Sequence, residues 1–262
     1  MVVEPRLHEQ HRAKWEAPEL RGCGAPLGCD RLADGGAGNR WYRAPMRDSK
    51  GLNERIFAWY YPFVVGLAER AGLREIRRTL FCRAEGRTLE IGAGTGLNLP
   101  HYTPAVSELV VTEPNSHMLA HLRLRLGSDR LAVGAWQLVQ TGAEVLPFED
   151  GCFDTVTAAF VQCTIPDPAT ALAEIARVLR PGGRLLFLEH VRAPEGSRLG
   201  RFQDLVEVPH RYVAAGCYPN RRTETVLRRS ALRVEQLEHG SQPRSSPTVR
   251  PMIFGSAVRI DT

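Results

Sequence analysis

The sequence predicts an α/β fold with a mostly parallel sheet and helices on both of its faces. Two observations predict it. First, a short apolar strand runs into a glycine-rich turn at residues 87–98, R-T-L-E-I-G-A-G-T-G-L-N, and in doubly wound folds such a turn opens a helix. Second, apolar segments of strand length alternate with helical stretches up to residue 191, which is the pattern of repeated βαβ units.

The elements after the glycine-rich turn follow in order. Further strands are predicted at residues 107–113, 136–140, 153–160 and 184–191. A helix predicted over residues 168–180 has Leu172 and Ile175 on one face, and R-P-G-G ends it. The order strand, turn, helix, strand therefore repeats along the central part of the chain.

Composition is that of an ordinary globular protein, with 262 residues, 43% hydrophobic and 24% charged. The net charge of +5 is small and the basic residues are interleaved with acids, so no nucleic-acid partner is predicted. The six cysteines lack C-x-x-C spacing. No metal is therefore predicted, and reduced thiols in a cytoplasm are expected.

Residues 1–84 divide into two predicted segments. Residues 1–50, rich in Gly, Pro and Arg, indicate an extension that is poorly ordered or draped on the core. Residues 51–84 contain an aromatic run at 56–68 that is too short to span a bilayer, so no transmembrane segment is predicted. We interpret this run as a helical lid whose aromatic side chains, Tyr60 and Tyr61 among them, line a substrate pocket or touch a membrane surface. Helices packed on the sheet edge are the alternative.

The glycine-rich turn gives the first functional indication. Gly92, Gly94 and Gly96 follow at spacing two, where the backbone must accept positive φ angles and pass close to a ligand. A dinucleotide fingerprint would require glycine at the position of Leu97. Glu90, inside the end of the strand, suits a cationic amino group better than a pyrophosphate. The turn therefore favours a ligand other than a dinucleotide.

Two segments carry a resemblance to a known family. L-E-I-G-A-G-T-G (89–96) resembles the first motif of class I S-adenosylmethionine (SAM)-dependent methyltransferases, and R-V-L-R-P-G-G-R-L (177–185) resembles their post-core motif. The resemblance covers about residues 85–191. It implies a Rossmann-like sheet of seven strands closed by an antiparallel β-hairpin, here at about 232–238 and 248–258. It also implies SAM as cofactor, S-adenosylhomocysteine (SAH) as product and a small-molecule acceptor as partner.

On this resemblance the SAM site lies at the strand ends. Glu113 ends the second strand, where a carboxylate can accept hydrogen bonds from both ribose hydroxyls. The segment A-E-V-L-P-F (143–148) resembles the loop that edges the adenine, and Gly142 stands just before it, where the family carries an acid. The predicted cofactor-binding residues are Glu90, Gly92, Ala93, Gly94, Gly96, Asn98, Glu113, Pro114, Asn115, Met118, Gly142, Ala143, Glu144, Val161, Gln162 and Cys163.

The catalytic candidates are Glu189, His190 and His210. Glu189 and His190 are neighbours in a strand and point to opposite faces, so one is expected to face the acceptor and the other to be structural. His210 could bind an anionic acceptor together with Arg211, or face solvent. Tyr102 joins the two tyrosines of the lid as a candidate pocket wall.

The carboxyl-terminal part narrows the resemblance. E-H-V-R-A-P-E-G-S (189–197) and P-M-I-F-G-S-A-V (251–258) resemble the alkyl-thiol methyltransferase group, with relatives labelled as ubiquinone, menaquinone or phosphatidylethanolamine methyltransferases. Residues 51–262 are thus predicted to form one methyltransferase domain, with a substrate-side insert and closing hairpin at 192–262.

The predicted function is methyl transfer to a small molecule, a thiol or another hydrophobic metabolite. The alternatives within enzymes are a quinone C-methyltransferase, a phospholipid N-methyltransferase and a natural-product O- or N-methyltransferase. The alternative from a different class is a SAM-binding protein without catalysis.

Overall fold

The structure is a computed structural model that describes residues 40–43, 59–60, 63, 65–128 and 131–260, with only the backbone of 40–43. Most of the predicted extension at 1–50, and Tyr61, lie outside the described residues. No helix in the described ranges combines the length and the apolarity that a bilayer span requires.

The sheet has the predicted seven strands and one additional edge strand. The strands are β1 (Arg40–Arg43), β2 (Gly86–Ile91), β3 (Val106–Thr112), β4 (Ala135–Gln140), β5 (Phe153–Ala159), β6 (Leu179–His190), β7 (Leu232–Ser241) and β8 (Pro251–Arg259). Their order is β1-β4-β3-β2-β5-β6-β8-β7. Every neighbouring pair is parallel except β6–β8 and β8–β7, so the predicted antiparallel hairpin is confirmed.

Six α-helices lie between the strands along the described part of the chain. They are α1 (Arg74–Phe81), α2 (Ser116–Ser128), α3 (Pro168–Val178), α4 (Arg198–Leu205), α5 (Glu207–Val213) and α6 (Thr223–Arg228), and a π-helical turn at Glu69–Leu73 precedes α1. Helix α3 begins where predicted, because Asp167 accepts hydrogen bonds from the N–H groups of Ala169 and Thr170. Strand β6 starts at Leu179, earlier than predicted, because Leu179 already pairs with Phe153 of β5.

Two apolar clusters cover the two faces of the sheet. Alternate residues of β3 belong to different clusters, with Val110 in one and Leu109 and Val111 in the other, as the period of a strand requires. The strand order reverses between β2 and β5. In open α/β sheets ligands bind beyond the carboxyl ends of the strands at such a switch point.

Candidate cofactor and acceptor site

A cavity of about 790 Å³ lies beyond the carboxyl ends of β2 to β6. Most residues predicted from the sequence line it. They are Gly92, Ala93, Gly94, Asn98, Glu113, Pro114, Asn115, Met118, Gly142, Ala143, Glu144, Val161 and Cys163 from the predicted cofactor site, His190 and His210 from the catalytic candidates, and Tyr60 from the predicted lid. One continuous space therefore joins the glycine-rich turn to the two histidines.

The glycine-rich turn has the backbone geometry that its spacing predicts. Gly92 and Gly94 have φ angles of 60° and 57°, a region that glycine enters without steric cost. A Cβ on Gly92 would lie 2.9 Å from both Cγ atoms of Val161, whereas a Cβ on Gly94 would meet nothing within 4 Å. Gly94 lines the cavity, so the missing Cβ there leaves open space for a ligand. Gly96 does not line the cavity. A Cβ on Gly96 would lie 2.7 Å from Cδ1 of Leu99, so this glycine permits close packing inside the protein.

The carboxylate of Glu113 accepts hydrogen bonds from two backbone N–H groups next to the glycine-rich turn. Its Oε2 accepts a hydrogen bond from Gly94 N at 2.8 Å, and its Oε1 accepts one from Asn115 N at 2.8 Å. The side chain is buried, and burial raises the pKa of Glu113 to about 7 although the two N–H groups act in the opposite direction. The carboxylate thus joins the turns that follow β2 and β3.

Glu90 lies behind the turn and does not line the cavity. Its carboxylate accepts hydrogen bonds from Asn98 Nδ2 at 2.9 Å and from the Tyr102 hydroxyl at 3.1 Å. Burial raises the pKa of Glu90 to about 7. Arg77 completes the network by donating to Asn98 Oδ1 at 2.5 Å and to Glu69 Oε1 at 2.8 Å. Tyr102, a candidate pocket wall, is buried in this network and does not line the cavity.

Glu189 and His190 take opposite sides of β6. Glu189 is fully buried, and its Oε1 accepts hydrogen bonds from Val161 N at 2.9 Å and Gln162 N at 3.0 Å. Burial raises the pKa of Glu189 to about 7. His190 lines the cavity. The expectation that the two residues point to opposite faces is met, with Glu189 fastening the end of β5.

The side chains of Gln162 and Arg211 do not line the cavity. Gln162 is buried, and neither of its side-chain polar atoms has a partner among the described residues. The guanidinium of Arg211 lies over the ring of Tyr218, 4.1 Å from its centre, where Arg221 also stacks at 3.9 Å. The predicted pairing of His210 with Arg211 toward an acceptor therefore has only His210 at the cavity.

A cysteine–histidine cluster, Cys163, His190 and Cys217, lies at the cavity wall. His190 Nε2 is 3.0 Å from Cys217 Sγ. The hydrogen bond from Cys163, and the nearby His190, lower the pKa of Cys217 well below its ordinary value. Burial lowers the pKa of His190, but the charge and hydrogen bond of Cys217 outweigh it and the net shift is upward.

Several cavity residues were not predicted. Cys217, Arg77, Phe160 and Arg244 line the cavity, although the sequence analysis assigned them no role at the site. Phe160 and Arg244 adopt positive φ angles of 58° and 50°, which are rare for such residues. Phe160 directly follows β5, so its position at a strand end could have indicated that it lines the cavity. Arg77 and Arg244 come from outside the SAM motifs, and no local pattern marks them.

Comparisons with known proteins agree with this geometry. A family model described as a methyltransferase domain matches residues 89–187. Thiol S-methyltransferase TMT1B from Homo sapiens is 30% identical over 211 residues, which is 76% of this chain and 86% of that protein. The chain belongs to the SAM-dependent methyltransferases. The predictions of an enzyme, of methyl transfer and of SAM as the cofactor are therefore confirmed.

A second relative in sequence and one solved structure are also similar to this methyltransferase. Ubiquinone/menaquinone biosynthesis C-methyltransferase UbiE from Marinomonas sp. is 37% identical over 129 residues, 47% of this chain and 49% of that enzyme. The structure of geranyl diphosphate C-methyltransferase from Streptomyces coelicolor A3(2), solved with SAH, has a TM-score of 0.57 and 10% identity, covering 82% of this chain and 100% of that chain. At such identity the likeness is one of fold, and it agrees with the Rossmann-like sheet.

Proposed function

We propose that this methyltransferase acts on a small hydrophobic thiol, with SAM and the thiol in the one cavity described above. The observation that carries the proposal is the continuity of that cavity, which joins Glu113 and the glycine-rich turn to His190. The similarity to thiol S-methyltransferase TMT1B supports the acceptor class, because it extends over 86% of that protein.

The glycine-rich turn and the strand ends fit SAM. Gly94 leaves space beside a cavity of about 790 Å³, and buried Glu113 lies at the end of β3, where it would accept the ribose hydroxyls. Gly142, Ala143 and Glu144 line the cavity after β4, where they would edge the adenine. These assignments use most of the residues that the resemblance implied.

The other end of the cavity suits a hydrophobic acceptor. Tyr60 donates a hydrogen bond to the carbonyl oxygen of Val213 at 2.6 Å, and both residues line the cavity. Exposed apolar side chains lie near each of them in the sequence: Trp59 and Phe63 near Tyr60, and Leu205, Val208 and Tyr212 near Val213. These five side chains do not line the cavity. Exposed apolar side chains beside two lining residues nevertheless favour a hydrophobic substrate, and contact of the same side chains with a membrane surface stays a prediction.

Bound SAM supplies a methyl group on a positively charged sulfur. The protein contributes position, because a nucleophile held in line with that group needs no covalent enzyme intermediate. A thiol with an ordinary pKa of about 8.5 is partly ionised at neutral pH, so a modest proton acceptor suffices. His190 and His210 both line the cavity and are the candidates for that proton.

The second candidate function is C-methylation of a quinone precursor. It is supported by the 37% identity to UbiE, but that similarity covers about half of each chain, whereas the thiol S-methyltransferase similarity covers 76% of this chain and 86% of that protein. We further propose a cytoplasmic location, because Cys163 and Cys217 are free thiols and a reducing compartment keeps such thiols reduced.

The deciding experiment is methyl transfer from labelled SAM to a panel of acceptors. The panel contains alkyl thiols of increasing chain length, the alcohols of the same chain lengths, a menaquinone precursor, phosphatidylethanolamine and phenols. We expect label on the thiols, with kcat/KM rising with chain length, and none on the matched alcohols. Label on the quinone or the lipid and not on any thiol would overturn the proposed acceptor.

A further inference from the structure

We propose that Cys163, His190 and Cys217 bind a zinc ion with an open fourth position that takes the sulfur of the acceptor. The proposal rests on the thiol acceptor proposed above and gives that acceptor a defined place. It also departs from the sequence analysis, which predicted no metal because the cysteines lack C-x-x-C spacing.

The geometry of the three side chains is close to that of a zinc site. Their potential ligand atoms all lie within 4.8 Å of one another. Tetrahedral zinc with bonds of about 2.3 Å to sulfur and about 2.0 Å to nitrogen separates its ligand atoms by about 3.5–3.8 Å. The 3.0 Å between His190 Nε2 and Cys217 Sγ would have to widen by about half an ångström, which small side-chain rotations provide.

The three ligands come from three elements that the backbone holds together. Cys163 follows β5, His190 ends β6, and Cys217 lies between α5 and α6. Tyr218 N donates to the carbonyl oxygen of Cys163 at 2.8 Å, so the segment that carries Cys217 is fixed beside the end of β5. The ring of His190 lies nearly parallel to that of Phe160, with 6.3 Å between ring centres. The backbone that carries the three ligands is therefore held in place before any ion binds, and only their side chains would have to adjust.

The ligand set indicates the metal and its role. Two cysteines and one histidine are ligands that zinc prefers, and three protein ligands with an open position are typical of catalytic rather than structural zinc. The three residues are 2%, 4% and 7% exposed and all line the cavity, so a fourth ligand can reach the ion only from the cavity. Nδ1 of His190 is buried and has no partner among the described residues, so it can carry the ring proton while Nε2 binds the ion.

The chemical step balances without any additional reactant. The S–H bond of the acceptor breaks, and its sulfur forms a bond to zinc. Because His190 is then a zinc ligand, His210, which also lines the cavity, is the remaining candidate to take the proton and pass it to solvent. That sulfur then takes the methyl group as the bond between the methyl carbon and the positively charged sulfur of SAM breaks. The products are a methyl thioether, which binds zinc weakly and leaves, and neutral SAH.

The first test measures metal in the full-length protein without using activity. Protein purified under reducing conditions without chelator is expected to contain about one equivalent of zinc by elemental analysis. Replacing zinc with Co²⁺ is expected to give the intense absorption of thiolate-to-cobalt charge transfer. Cys163→Ser and Cys217→Ser should lower the metal content at least tenfold, whereas Cys82→Ser, at an exposed cysteine outside the cluster, should keep it.

The second test separates the metal from the acceptor. Adding an alkyl thiol to the Co²⁺ protein is expected to shift its ligand-field bands, and the matched alcohol is expected not to. Wild-type protein that binds SAM but neither zinc nor Co²⁺ would overturn the site, and so would undiminished methyl transfer after complete removal of metal. Stoichiometric metal together with no transfer to any thiol would support the site and overturn the proposed acceptor instead.

Discussion

Three buried carboxylates surround the site at the ends of its strands. Glu90, Glu113 and Glu189 belong to or follow β2, β3 and β6, and burial raises the pKa of each to about 7. Each is held by donors from the loops that form the cavity: side chains for Glu90 and backbone N–H groups for the other two. Burial of a carboxylate is costly, and hydrogen bonds from these donors offset part of that cost. We infer that these three shape the loops for binding.

Replacing Glu113 with alanine is the most direct test of the cofactor assignment. The variant loses the acceptor for the ribose hydroxyls and also releases Gly94 N and Asn115 N. We expect SAM affinity to fall by on the order of 1–3 kcal/mol, which is the cost of unpairing hydrogen bonds to a charged group. Isothermal titration calorimetry measures it, with Glu149→Ala, an exposed glutamate on the loop after β4, as the control. Equal affinity of both variants would contradict the assignment.

Glu90 makes stability depend on pH. In the unfolded chain a glutamate ionises near pH 4.3, whereas in the folded protein burial raises the pKa of Glu90 to about 7. Between these values the unfolded state releases a proton that the folded state keeps. The free energy of unfolding therefore falls as pH rises through this window, and the loss is complete above about pH 7.

Glu90→Gln should remove this pH dependence. The amide keeps the shape of the side chain; it can accept from Asn98 and donate to Tyr102, whose hydroxyl can donate to Thr157 Oγ1 at 2.7 Å. Without ligand, we expect the free energy of unfolding of the variant, relative to that of wild type, to be higher at pH 8 than at pH 5. The expected change in this difference is about 2 kcal/mol.

Urea unfolding at the two pH values measures this difference. Glu149→Gln, at an exposed position, is the matched control and should follow wild type. If Glu90→Gln and wild type lose stability in parallel between pH 5 and pH 8, the raised pKa of Glu90 is wrong.

At the scale of the elements, the turn after β2 places the cavity. Gly92 has a φ of 60° and approaches Val161 from the neighbouring strand end, while Ala93 N donates to Thr112 O at 2.9 Å. The turn is therefore packed between the ends of β3 and β5. At position 92 only a residue without a Cβ permits this close approach to Val161.

Gly92→Ala is expected to damage the turn and with it the binding of SAM. The left-handed backbone costs a non-glycine residue about 1–2 kcal/mol, and the new methyl would press on Val161. We expect a stability loss of about 1–3 kcal/mol by thermal unfolding and at least tenfold weaker SAM binding. Gly66→Ala is the control, because its Cβ meets nothing within 4 Å and alanine favours a helix. Wild-type affinity in Gly92→Ala would show that the turn tolerates a side chain.

Local patterns predicted what depends on local geometry. Gly92 and Glu113 could be found because a strand end and a glycine spacing are properties of a few consecutive residues. Strand β1 could not, because four residues carry no period and their pairing with residues 137–140 depends on distant chain. The meeting of Cys217 with Cys163 and His190 likewise depends on how the segment after α5 folds back. The hydrogen bond that buries Tyr102 beside Glu90 also depends on how the chain folds back, so the sequence did not reveal that Tyr102 lies away from the cavity.

At the scale of the whole molecule, the cavity lies between the sheet and two helical segments distant in sequence. The described residues 59–60, 63 and 65–81 precede the SAM-binding core, and α5, which contributes His210 and Val213 to the lining, follows it. The hydrogen bond from Tyr60 to the carbonyl oxygen of Val213 joins the two segments. An acceptor that enters there meets side chains from both, so its affinity should depend on how firmly they are held together.

Tyr60→Phe should loosen this connection while keeping the aromatic ring. A hydrogen bond of this kind contributes about 1 kcal/mol, so we expect KM for the acceptor to rise about fivefold with kcat little changed, and hydrogen exchange of amides 65–73 to accelerate. Tyr212→Phe, at a tyrosine of α5 that is 68% exposed, is the control and should match wild type in both measurements. Unchanged exchange and unchanged KM in Tyr60→Phe would mean that the helical segments enclose the acceptor independently of each other. The lid predicted from the aromatic run would then be held in place by contacts other than this hydrogen bond.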